Sequence, residues 1–125
     1  MTGKRILVVE DEYFIAQDLR KALVEAETTV IGPVGNVNDA LSLLRDEPVD
    51  VAILDVNLAG TQSFPVADAL RERSVPYMFL TGYDEWALPE EHRQAPRTNK
   101  PFATSEVLRC LRQLDAEGTS TVTPA

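Results

Sequence analysis

Asp55 ends the apolar run Val51-Ala52-Ile53-Leu54, and Asn57 and Gly60 follow it closely. A short unbroken apolar run, bounded by Asp50 and by a turn ending in Gly, reads as a strand buried on both faces. Asp55 then stands where the strand leaves the core. Taken alone, it is a turn residue or a cap for the next helix. Three other loops change that reading. Glu10 and Asp11 follow the apolar run Ile6–Val9, Thr81 follows Val75–Leu80, and Lys100 follows the polar stretch 95–99. Three carboxylates that converge cannot all stay ionised cheaply without a cation. Hard oxygen donors with room left for water and phosphate oxygens suit Mg²⁺. A carboxylate beside such an ion can act as a nucleophile toward phosphorus and carry an aspartyl phosphate. Mg²⁺, the Lys100 ammonium and the Thr81 hydroxyl would then take one oxygen each of the transferred group. No single residue here is specific. Glu-Asp-Glu after a strand often opens a helix, and Lys-Pro is often a turn.

The elements that must bring these residues together follow from periodicity. Ile6–Val9 is a short buried strand. The spacing of Ile15, Leu19, Ala22, Leu23 and Ala26 predicts a helix over about 12–25, with Gln17, Asp18, Arg20 and Lys21 outside. Thr28–Ile31 reads as an edge strand ended by Gly32-Pro33. Asn36 or Asn38 is placed to cap a helix carrying Val37, Ala40, Leu41 and Leu44, which closes near Pro48. The strand before Asp55 comes next. A helix after Gly60 carries Val66, Ala69 and Leu70, and Pro65 limits how early it is regular. Val75–Leu80 is the fourth strand. The segment 83–93 is weakly helical and interrupted by Pro89, and 95–99 is a poor strand by composition. Thr104 is placed to cap a last helix with Val107, Leu108, Leu111 and Leu114 inward. Strands alternating with helices imply a parallel sheet covered on both faces. Right-handed crossovers put every strand's carboxyl end on one edge, so Glu10, Asp11, Asp55, Thr81 and Lys100 are expected at one place.

Composition bounds the rest. The 125 residues suffice for one domain with one core, and 44% hydrophobic residues mark a globular chain. A formal net charge of -8 repels phosphate backbones and anionic membranes, which argues against a nucleic-acid binder. The one cysteine, Cys110, lies in an apolar helical pattern and reads as a buried, inert thiol. The one histidine, His92, stands among Glu90, Glu91 and Arg93 and reads as a solvated imidazole. Trp86 reads as a core filler; for Tyr83, packing and shaping access to Asp55 stand level. No run approaches the ~20 apolar residues of a membrane span, and the start is no signal peptide, so the protein is expected in the cytoplasm.

Together, and in this order, these residues resemble a response-regulator receiver domain over roughly residues 4 to 115. The resemblance implies an α/β fold: a five-stranded parallel sheet of flavodoxin-like order 2-1-3-4-5 with helices on both faces. It implies that Glu10 and Asp11 are the acidic pair that binds Mg²⁺, that Asp55 is the phosphorylated aspartate, and that the backbone carbonyl of Asn57 joins the metal. Thr81 matches the switch residue, and Lys100-Pro101 matches a Lys-Pro pair whose peptide bond is typically cis. Two positions depart from the pattern. Arg97 stands three residues before the lysine, where the family usually has the aromatic partner of the switch. Ala59 stands where many receivers have Pro. Phe79-Leu80-Thr81-Gly82-Tyr83, with the aromatic missing, resembles the receiver subclass nicknamed FAT GUY.

The expected organisation is a receiver domain over 1–117 and a flexible tail over 118–125. The expected function is that of a stand-alone receiver, not an enzyme in the usual sense. It takes a phosphoryl group on Asp55 from a histidine kinase, HWE-type or related, in a Mg-dependent phosphorelay, and supports its own slow autodephosphorylation. The signal leaves by contact with a downstream protein or phosphotransferase, with no nucleic acid and no membrane involved. Loss of the aromatic suggests that phosphorylation orders the segment 83–93 instead. Two alternatives stand beside this. One is a pseudo-receiver that binds partners without phosphorylation. The other is a haloacid-dehalogenase-like phosphohydrolase, which needs a second acid two residues after the nucleophile; Asn57 occupies that position and cannot act as general acid or base.

Overall fold

Three strands each carry an unbroken apolar run, Ile6–Val9, Val51–Leu54 and Tyr77–Leu80, and must bury both faces, which fixes the architecture. β1 (Arg5–Val9), β3 (Val51–Asp55) and β6 (Tyr77–Thr81) pair in parallel at the centre of a sheet. β2 (Thr29–Val34) lies at one edge and β7 (Arg97–Asn99) at the other. Counting only these strands, the order is 2-1-3-4-5, as expected. The computed structural model describes residues 1–82 and 88–121.

Alternation along the strands splits the core in two. Leu7, Val9, Ala52, Leu54 and Phe79 face α2 (Val37–Asp46) and α3 (Phe64–Glu72), meeting Ala40, Leu44, Val66 and Leu70. Ile6, Val8, Val51, Ile53, Met78 and Leu80 face α1 (Tyr13–Glu25) and α4 (Thr104–Thr121), meeting Leu19, Leu23, Val107 and Leu111. Each fully buried Leu, Ile or Val contributes about 1.5–3 kcal/mol. Cys110 is only partly buried, against the α1/α4 cluster. Among the described residues, no helix is long and apolar enough to cross a membrane.

Several local features differ from the sequence expectation. β2 does not stop at Gly32-Pro33 but runs through it to Val34, with an irregular register opposite Leu7–Val9. An edge strand tolerates Pro because its outer side needs no donor. Gly32 has φ +98°, and a Cβ there would lie 2.9 Å from the Val34 nitrogen and 3.0 Å from the Val8 oxygen. Asn36, not Asn38, caps α2 by accepting the Asp39 N–H at 2.8 Å. Pro65 sits in the first turn of α3, where a missing N–H is harmless, so that helix already starts at Phe64. Thr104 is the first residue inside α4 and not its cap; the Glu106 carboxylate accepts the Ala103 N–H at 2.9 Å. β4 (Asn57–Leu58) and β5 (Thr61–Gln62) form a small hairpin after Asp55 that periodicity did not announce. Its turn residues Ala59 and Gly60 both have positive φ, 51° and 94°. Proline cannot adopt such a φ, which explains alanine at 59. The peptide bond Lys100–Pro101 is cis.

The 3₁₀ turn Glu90–His92 is the described part of the weakly helical segment. Tyr83 and Trp86 lie outside the described residues, and so do residues 122–125 of the expected tail. His92 is not solvated: only 1% of it is exposed. Its ring stacks on Phe64 at 5.9 Å and meets Tyr77 and Phe79 edge-on. Nδ1 lies 2.7 Å from the Tyr77 hydroxyl and Nε2 lies 2.8 Å from the Asp68 carboxylate. The charged neighbours in sequence mislead because a 3₁₀ turn points successive side chains apart. Replacing His92 by Ala should therefore cost about 2–4 kcal/mol, from the cavity and from a phenol left without its partner. A urea unfolding midpoint within error of wild type would show that the ring carries no such load.

Candidate functional site

β1, β3 and β6 are parallel neighbours, so their carboxyl ends open on one edge. The register puts Val9 beside Leu54 and Asp55 beside Leu80, with Glu10 the next residue after β1. Glu10 and Asp55 are buried there, 3% and 5% exposed, whereas Asp11 and Glu12 are exposed. Glu10, Asp11 and Asp55 bring three carboxylate oxygens within 4.8 Å of one another.

Lys100 comes from the far edge strand and closes the cluster. Its ammonium donates to Asp55 Oδ2 at 2.9 Å and to Glu12 Oε1 at 3.2 Å, and it pairs with Glu10 Oε1 at 2.9 Å. Its backbone N–H donates to the Thr81 carbonyl at 2.8 Å, which ties the lysine to the end of β6. Asn57 is exposed; its N–H donates to Asp55 Oδ1 at 3.2 Å, while its side-chain oxygen accepts the Gly60 N–H at 2.8 Å. Thr81, 2% exposed, turns its hydroxyl to Asn99 Oδ1 at 2.7 Å. Glu10, Asp11, Asp55 and Lys100 are thus in one pocket, Asn57 touches it through its backbone, and the Thr81 hydroxyl is engaged beside it. Glu12 and Asn99 escaped the sequence reading. Glu12 was visible only as a third acid in Glu10-Asp11-Glu12. Asn99 carries no local signal apart from preceding Lys100.

The electrostatics are unbalanced. Burial, against the pull of the Glu12 N–H and Lys100, pushes the Glu10 carboxyl up to about 7, with Asp55 adding to the rise. Burial alone would depress the Lys100 ammonium; Asp55 and Glu10 outweigh it and hold lysine above its ordinary range. One ammonium is in contact with three carboxylates, and Asp11 stands beside two of them. Glu10 Oε1 is buried and, although ion-paired, has no aligned hydrogen-bond donor. A buried hard oxygen whose only partner is the shared lysine, beside two further carboxylates, is a donor set that fits Mg²⁺. A second cluster among the described residues, Asp68, Glu91 and His92, does not compare, because both ring nitrogens of His92 are already engaged.

The Glu10 shift sets a pH dependence. The folded chain keeps the Glu10 proton up to about pH 7, against 4.5 ordinarily. Between those values the fold holds more protons than the unfolded chain, so this group's contribution to stability falls as pH rises. The loss is complete above about pH 7. Glu10→Gln removes it. In EDTA at pH 8 the variant should be more stable by on the order of 1–3 kcal/mol, a rise of several degrees in Tm. Below pH 4.5 the advantage should vanish. A variant equally stable, or less stable, at pH 8 would contradict the buried charge.

Comparison with known proteins agrees with this geometry. Residues 6–112 match the family model of the response regulator receiver domain. The solution structure of SdrG from Sphingomonas melonis Fr1 is 40% identical, with a TM-score of 0.79, covering 90% of this chain and 96% of that one. The response regulator protein TrrA of Thermotoga maritima, solved in complex with Mg²⁺-BeF, is 27% identical with a TM-score of 0.77, covering 89% and 98%. Sensory transduction protein LytT of Bacillus cereus is 32% identical over 114 residues, 87% of this chain and 46% of that protein. The chain thus spans about half the length of that curated relative. A central parallel sheet whose strand ends gather acids around one lysine, and a family match over most of its length, place this chain in the response regulator receiver domain family of two-component signalling.

Proposed function

We propose that Asp55 is the phosphoryl acceptor of this receiver and that a histidine kinase supplies the group. The observation that carries this reading is the Lys100 ammonium held on Asp55 Oδ2 and on the buried Glu10 Oε1 beside it. Glu10, Asp11, Asp55 and the backbone carbonyl of Asn57 would hold Mg²⁺. That ion would neutralise the pocket and offset charge on the phosphoryl oxygens. A carboxylate oxygen of Asp55 attacks phosphorus in line, the bond from phosphorus to the donor's imidazole nitrogen breaks, and its electron pair stays on that nitrogen. Lys100 is already charged and within reach, so it meets the developing charge without reorganisation. Thr81 supplies a hydroxyl donor to a third oxygen. The complex of the 27% identical TrrA with Mg²⁺-BeF supports the ion.

The same reading takes 1–117 as the receiver unit with a tail beyond it, and a protein that works in the cytoplasm by protein contact. Exposed Tyr13 and Phe14, 68% and 80% accessible and packed edge-on just after Glu12, offer a partner an apolar grip beside the pocket. Phe79–Tyr83 and the arginine at 97 support the FAT GUY subclass and hence an HWE-type or related kinase. The phosphohydrolase alternative loses further ground because the Asn57 side-chain oxygen is occupied by the Gly60 N–H.

With Mg²⁺ and acetyl phosphate, intact mass should show one added phosphoryl group on the wild-type chain and none on Asp55→Asn. Equal labelling of both would move the acceptor elsewhere, and steady turnover of a generic phosphomonoester would favour a hydrolase.

A further inference from the structure

The hydroxyl of Thr81 has one proton, and Asn99 holds it. Thr81 and Asn99 face each other in the β6–β7 register, and Oγ1 donates to Asn99 Oδ1 at 2.7 Å. The Thr81 backbone is fixed independently, by the ladder and by the Lys100 N–H on its carbonyl. Side-chain rotation of Thr81 is therefore the freedom that remains. Arg97 offers no aromatic ring to take the threonine's place; its guanidinium instead donates to the Arg93 carbonyl at 2.6 Å. Asn99 itself is exposed at the sheet edge and is free to re-solvate once the threonine leaves.

We propose that Asn99 is a positioning residue that restrains the Thr81 hydroxyl in the unphosphorylated protein and sets the threshold for the active conformation. A hydroxyl that donates to a phosphoryl oxygen cannot also donate to Asn99. The Thr81–Asn99 bond and the Thr81–phosphoryl bond are therefore competing states of one proton. A neutral hydrogen bond has a net worth that converts to roughly a 2- to 10-fold bias. The receiver thus starts biased toward its resting form by a contact on its edge strand. This rests on the reading of Asp55 and Thr81 given above.

The test is a double-mutant cycle read by binding of beryllofluoride with Mg²⁺, followed by ¹⁹F NMR. Four chains are compared: wild type, Asn99→Ala, Thr81→Ala and the double variant, with Asp55→Asn as the control for site-specific binding. Asn99→Ala should lower the half-saturating beryllofluoride concentration by roughly 2- to 10-fold when Thr81 is present. It should leave that concentration unchanged in the Thr81→Ala background. An unchanged or weaker affinity in Asn99→Ala, or the same gain without Thr81, would overturn the role of Asn99 while leaving the phosphoacceptor reading intact. A wild-type chain that binds no beryllofluoride at Asp55 would overturn both.

Discussion

A single ammonium holds the acidic edge together. Lys100 contacts Asp55, Glu10 and Glu12 within 3.2 Å, so among the protein's own groups several carboxylates meet one compensating charge. Removing the lysine would leave buried carboxylates uncompensated, at a cost on the order of 3–5 kcal/mol. The arrangement tolerates imbalance because the surplus is asymmetric. Asp11 and Glu12 remain in water, whereas Glu10 is buried and takes up a proton more readily than an ordinary carboxyl. A pocket built this way is short of positive charge by design of its backbone, and a divalent ion is the simplest remedy.

The rest of the fold serves to keep that edge rigid. The central strands place their backbones by burying side chains on both faces, so the strand ends cannot slide without exposing a whole row of Ile, Leu and Val. Lys100 is reached through the least apolar strand. β7 is three residues long and polar, held by pairing with β6 and by the Lys100 N–H on Thr81. The central strands thus deliver the buried acids, and the edge strand delivers the lysine. The described residues 88–93 form a segment between β6 and β7 in the chain. His92 anchors the described end of that segment to Tyr77 and to Asp68 on α3, so one end is fixed while Arg93 and Arg97 connect it to the edge strand.

Much of this was legible before any coordinates. Apolar runs punctuated by Glu10, Asp55 and Thr81 encode strands with polar exits, and the parallel crossover rule sends those exits to one side, with Lys100 after a polar stretch joining them. Local mistakes arose where a residue's neighbours in sequence differ from its neighbours in space. His92 sits among charges in the chain but among aromatic rings in the fold. Gly32-Pro33 reads as a terminator, yet at an edge it is only an irregularity within β2.

The sequence alone determined the α/β class and which strand ends carry chemistry, because these follow from short-range periodicity; the strand order came from the family resemblance. Tertiary structure decided which acids are buried and what each donor touches. Glu10 and Asp11 are adjacent and both acidic, and only the register of β1 against β3 buries the first and leaves the second in water. Lys100 meets Glu12 across 88 positions, and Thr81 meets Asn99 across 18, through strand pairings that no local pattern specifies. Hydrogen-bond partners are a property of that pairing, and so is the resting state of the site.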